Sequence, residues 1–253
     1  MIQAKADFQR WATGYSGFDG GNPRGPIWFC GIEYGGGEDR PHFGFDVDVT
    51  EPGSISADET LQFIGHPYNS NAVKLYSAIL GDEPGKYKDI ARSRRVFGKD
   101  SDLFKLNLYP LSFHTDNDDL WEEWHFEKTG LPTKSLYRAW CQVHRFARFT
   151  AWTRQHAPKL VIGTGLSHEK DFIMAFNGAD TIFKPADAIT VETISEKSLK
   201  WLPINDGRTI LAIVPFLGGP YGLNSDTQLG AFGQRIGQIC TQAFGNSWTL
   251  TAP

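Results

Sequence analysis

Glu33 and Tyr34 stand between a short apolar run, Ile27 to Ile32, and three successive glycines, Gly35-Gly36-Gly37. A carboxylate so placed can orient or polarise a water as a general base, and glycines beside it let the backbone come close to a ligand. The alternative is a plain glycine turn with Glu33 in solvent. Asn107 interrupts a second apolar run, Leu103 to Leu108, where its carboxamide offers donor and acceptor to the edge of a planar heterocycle. Equally, a buried asparagine can serve only to satisfy loop backbone. Tyr34, Tyr109, Phe216 and Tyr221 all adjoin apolar runs and either stack a flat ring or fill core.

Other chemistries lack their parts. The glycine run is followed by Glu38-Asp39-Arg40-Pro41-His42, which is neither the Gly-Lys-Ser/Thr of a phosphate loop nor the start of a helix after a dinucleotide-binding turn. No Gly-x-Ser-x-Gly elbow occurs; Gly163-Thr164-Gly165-Leu166-Ser167 is not equivalent to one. Of seven histidines, His42, His66, His114 and His168 fall in expected loops without the i, i+4 pairing common in metal sites, so neither a metal nor a cofactor is expected. Cys30, Cys141 and Cys240 are an odd set about a hundred residues apart, which suits buried thiols better than disulfides or zinc. The basic run Arg92-Ser93-Arg94-Arg95 with Lys99 reads as a solvated face or as a phosphate contact.

The elements that must position these side chains follow from periodicity. Four apolar runs, 27–32, 103–108, 160–163 and 210–214, read as buried strands of a parallel sheet. Helical spacing covers 70–80, through Val73, Leu75, Tyr76 and Ile79, and 133–156, through Leu136, Trp140, Val143, Phe146 and Ala147. Ser225 followed by Gln228 has the form of a capping box before a closing helix of about 17 residues. Thr190 to Ile194 alternates with period two and is expected to pair with Lys200-Trp201-Leu202 as a side hairpin, while residues 35–53 form a long loop rich in Gly, Asp and Pro. Strand and helix alternate over most of the chain. That pattern predicts one α/β domain over residues 1–253, a three-layer α/β/α arrangement around a mainly parallel four-stranded sheet. Ligands of such sheets bind beyond the carboxyl ends of the strands, where Glu33 and Asn107 both fall.

Composition agrees with a folded protein: 253 residues, 40% hydrophobic and 21% charged, with net charge −4. The acidic balance argues against a uniformly basic nucleic-acid coat. No apolar run approaches bilayer length and the opening residues lack the apolar centre of a secretion signal, so no membrane contact and a reducing cytoplasm are expected.

In layout, over roughly residues 25–240, the chain resembles the uracil-DNA glycosylase superfamily. The resemblance rests on Gly31-Ile32-Glu33-Tyr34 after the first strand, Asn107 on the second, a strand ending at Gly163, and a Pro215-containing loop after the fourth. It implies hydrolysis of the N-glycosidic bond of a damaged or modified base, with nucleic acid or another nucleobase-containing ligand as partner. It further implies that Glu33 orients the attacking water, Asn107 binds the base, Gly31 and Tyr34 line the pocket and the Phe216 loop presses on the nucleic acid. Tyr34-Gly35 stands where that superfamily usually has proline, and Phe216-Leu217-Gly218 replaces its histidine-bearing loop. Two alternatives stay open: a base- or nucleotide-binding protein without turnover, and a small-molecule hydrolase with Glu33 as general base.

Overall fold

The computed structural model describes residues 2–17, 20–35, 44–45, 48–113, 120–183 and 188–249. His42, His114, Gly36, Gly37 and much of the expected 35–53 loop lie outside the described residues. In chain order the strands are β1 (Gly20–Gly21), β2 (Ile27–Gly31), β3 (Leu103–Asn107), β4 (Leu160–Thr164), β5 (Thr190–Ile194), β6 (Lys197–Ile204) and β7 (Thr209–Val214). The helices are α1 (Ala6–Ala12), α2 (Thr60–Phe63), α3 (Pro67–Ile79), α4 (Tyr87–Ser93), α5 (Glu123–Thr129), α6 (Lys134–Trp140), α7 (Phe146–His156), α8 (Glu169–Asn177) and α9 (Asp226–Phe244).

The four apolar runs are β3, β2, β4 and β7, adjacent in that order and mutually parallel. Every residue in them is buried, which explains their unbroken hydrophobicity. The expectation of a four-stranded sheet needs correction: among the described residues the sheet is mixed and seven-stranded, ordered β1-β3-β2-β4-β7-β6-β5. β1 is two glycines antiparallel to β3, too short and featureless to carry a periodic signal. The hairpin pairs as its alternation suggests, Thr190 opposite Trp201, but β6 also joins β7 antiparallel. It therefore widens the sheet instead of standing beside it.

Alternate strand residues face opposite sides. Trp28, Phe104, Leu106 and Leu211 share one core with Phe8, Tyr137, Phe149 and Phe172. Ile27, Phe29, Ile162 and Val214 share another with Leu75, Tyr76, Phe232 and Ile236.

Two helix readings change. The stretch expected as one helix over 133–156 is α6, a π turn at Cys141–Arg145, and α7. Its inward residues are Tyr137, Cys141, Arg145, Phe146 and Phe149, whereas Leu136, Val143 and Ala147 of the expected stripe are exposed. The wide turn shifts the phase that a 3.6-residue template assumes. At α9, Ser225 Oγ accepts from Gln228 N at 3.2 Å, but Gln228 Oε1 is buried without a hydrogen-bond partner among the described residues, so only half of the capping box forms.

Candidate active site

Parallel pairing sets Gly31 of β2 opposite Asn107 of β3. The pairing continues past both strand ends: Leu108 N donates to Gly31 O at 3.0 Å, Tyr109 N to Ile32 O at 2.8 Å and Phe113 N to Tyr34 O at 3.1 Å. The loop carrying Glu33 and Tyr34 is thereby pinned to the loop after β3. A Cβ on Gly31 would lie 2.4 Å from Asn107 Oδ1 and 3.4 Å from Tyr68 Oη, so the bare glycine is what lets the amide lie across the strand end.

Asn107 Nδ2 donates to Gly17 O at 2.8 Å, which fixes the amide plane. The same region is tied down by Arg145, fully buried on the π turn. Its Nε donates to Leu108 O at 2.9 Å, Nη2 to Asn107 O at 3.2 Å and to Ser16 O, and Nη1 to Ser16 Oγ at 3.0 Å and to Ala12 O. One guanidinium thus joins the 12–17 segment to the end of β3, using the fixed fork that suits arginine to such work.

Glu33 is only 8% exposed. Lys134 and Arg138, one turn apart on α6, approach it from behind, with Lys134 Nζ 3.4 Å from Oε1 and Arg138 Nη2 3.9 Å from Oε2. Oε2 is buried with no hydrogen-bond partner among the described residues. Burial raises the Glu33 carboxyl above its ordinary range, outweighing the opposing pull of Lys134, Arg138 and His168. A carboxylate so raised is a better proton acceptor than one in water.

Glu33, Asn107, Gly31, Tyr34 and Phe216 line one cavity of about 570 Å³, together with Phe63, His66, Tyr68 and Lys105. Tyr68 Oη lies 2.9 Å from Thr164 Oγ1, which itself donates to Cys30 O at 3.2 Å, so the phenol hydrogen points to Thr164. Burial holds that phenol protonated, far above its usual pKa. The Phe216 ring, on the loop after β7, lies 5.5 Å from that of Tyr68. A groove with these walls suits a flat ring, with Asn107 Oδ1 as an acceptor at its edge.

Two sequence-derived lining residues belong elsewhere. Tyr109 is buried in the first core, where its Oη donates to Asp171 Oδ2 at 3.1 Å; its ring sits 5.6 Å from the Arg138 guanidinium and so backs the Glu33 clamp. Tyr221 is 91% exposed on a loop and does not line the cavity. Lys105 went unread although the signal was present: a lone charge in the buried strand Leu103–Asn107, two residues from Asn107 and on its face. The basic run is a surface feature, with Arg92 paired to Asp89 and Arg94 to Asp102. Among the described residues no group of three or more His, Cys, Asp or Glu side chains could hold a metal ion, and no helix is long and apolar enough to cross a membrane.

The chain matches no model of a known protein family, and no curated protein resembles it closely enough in sequence to count as a relative.

Proposed function

We propose that this cavity binds a nucleobase-type heterocycle and that the protein is a uracil-DNA glycosylase-like hydrolase of N-glycosidic bonds, with the four parallel strands as the centre of a three-layer fold. The observation that carries the reading is the convergence of Glu33 and Asn107, 74 residues apart in sequence, on one aromatic-walled cavity. Asn107 Oδ1 accepts a ring N–H of the base. As the bond from the sugar carbon to the base nitrogen breaks, its electron pair leaves with the base and the sugar becomes oxocarbenium-like. Water then adds to that carbon and passes its proton to Glu33, whose raised pKa suits the task. Tyr68 and Phe216 hold the ring between them.

A second reading, binding without turnover, draws support from the two cations held against Glu33. Single- and double-stranded oligonucleotides carrying uracil, hypoxanthine or xanthine separate the two. Release of base with an abasic product, reduced about 10²–10⁴-fold by Glu33→Gln, is expected for the hydrolase. Retention of base with affinity that falls on Asn107→Ala is expected for the binding protein. Activity that survives Glu33→Gln removes Glu33 from the reaction, and affinity indifferent to Asn107→Ala overturns both readings.

A further inference from the structure

We propose that the cavity takes its heterocycle in anionic form, with Lys105 supplying the counter-charge. This deepens the reading of the cavity as a nucleobase site and rests on it. Lys105 is 5% exposed, yet it lines the cavity, and its Nζ lies 5.1 Å from the Tyr68 ring centroid and 5.4 Å from that of Phe63. Those rings recover part of what burying an ammonium costs. A methionine would occupy the same volume without that desolvation penalty, so a lysine here points to use.

Placement supports the same use. Lys105 and Asn107 share a face of β3 at a two-residue spacing, about 6.6 Å along the strand, roughly the breadth of a six-membered ring with its substituents. An amide can therefore read one edge of a ring while an ammonium faces another. The ionisable groups around Lys105 are Glu33 and Tyr34 from the loop after β2, Tyr68 of α3, and His66 immediately before it. The one carboxylate among them is already held by Lys134 and Arg138. With Lys105 counted, three cations face a single carboxylate, an imbalance that a ligand anion would reduce. Burial also brings Lys105 down to about 7, so at neutral pH an incoming anion draws the proton onto the amine and a neutral ring does not. In glycosidic cleavage this is the charge needed late in the reaction, because the base departs carrying the bond's electron pair.

Titration calorimetry at pH 7 with two free rings of similar size, barbiturate as the anion and uracil as the neutral ring, tests the proposal. The wild-type protein is expected to bind barbiturate at least tenfold tighter than uracil. Lys105→Met should abolish that preference while leaving uracil affinity within about twofold, and Lys105→Arg should keep most of it. Equal affinities in the wild type, or a preference that survives Lys105→Met, overturn the counter-charge while leaving the nucleobase reading in place. Should Lys105→Met fail to fold, the wild-type ratio and Lys105→Arg still decide the matter. Binding of neither ring to the wild type overturns the nucleobase reading and this inference with it.

Discussion

Glu33, at the carboxyl end of the parallel strands, and Glu192, on the antiparallel edge hairpin, both face cations but in opposite ways. Arg235 grips Glu192 with two hydrogen bonds, Nε to Oε2 at 2.6 Å and Nη2 to Oε1 at 2.8 Å, and Trp201 Nε1 adds a third at 2.9 Å. Those bonds, the Arg235 pair foremost, hold the Glu192 carboxyl below its ordinary range in a setting that water still reaches. Glu33 has two cations at 3.4 and 3.9 Å, neither in bidentate geometry, and burial wins. A cation nearby does not by itself settle a carboxylate; directed hydrogen bonds do. The hairpin pair is a fastening, while the Glu33 cluster stays poised for a proton.

The contrast breaks most readily at Arg145. Arg145→Met leaves the carbonyls of Ala12, Ser16, Asn107 and Leu108 without this partner and should lower unfolding stability by about 3–5 kcal/mol in a denaturant titration. Arg235→Met at the hairpin should lower it by no more than about 1 kcal/mol. Comparable losses would mean that the cavity end is no more rigidly framed than the edge. Gly31→Ala comes next: a methyl group 2.4 Å from Asn107 Oδ1 must push the amide aside, with about 1–3 kcal/mol of overpacking and loss of heterocycle binding from a folded protein. Undiminished binding by that variant would detach Asn107 from the ligand.

The smallest effect has opposite signs at the two sites. Glu33 has a raised folded-state pKa, so it binds its proton more readily in the native state, and its contribution to stability is lost as pH climbs from about 4.5 towards neutrality. Wild type should therefore lose stability relative to Glu33→Gln over that window. Glu192 has a lowered one, so wild type should lose stability relative to Glu192→Gln as pH falls below about 4.5. Parallel pH profiles for the two differences would erase the distinction.

Much of the frame was legible because fully buried parallel strands leave an unbroken apolar trace, as at Leu160–Thr164 and Thr209–Val214. Glu33 and Asn107 were legible as polar residues at the ends of such traces. Three features were hidden for physical reasons. A two-glycine strand such as β1 has no side chains to alternate. The π turn breaks the period by which a helix is read, so Leu136, Val143 and Ala147 looked inward and are not. Tyr109 and Tyr221 adjoin apolar runs alike, yet one is core and the other 91% exposed, because sequence proximity to a strand end does not say which way a loop turns.

The π turn at Cys141–Arg145 also makes one rod serve two masters. Before it, Lys134 and Arg138 address Glu33; beyond it, Phe146, Phe149 and Trp152 address the hydrophobic interior. Each half keeps its own rotational setting, and the joint absorbs the offset. Deleting a single residue there would rotate the second half by about 100° against the first. A chain so altered must surrender either its carboxylate clamp or its aromatic packing, which makes a five-residue stretch with no catalytic group of its own the least dispensable spacing in the molecule.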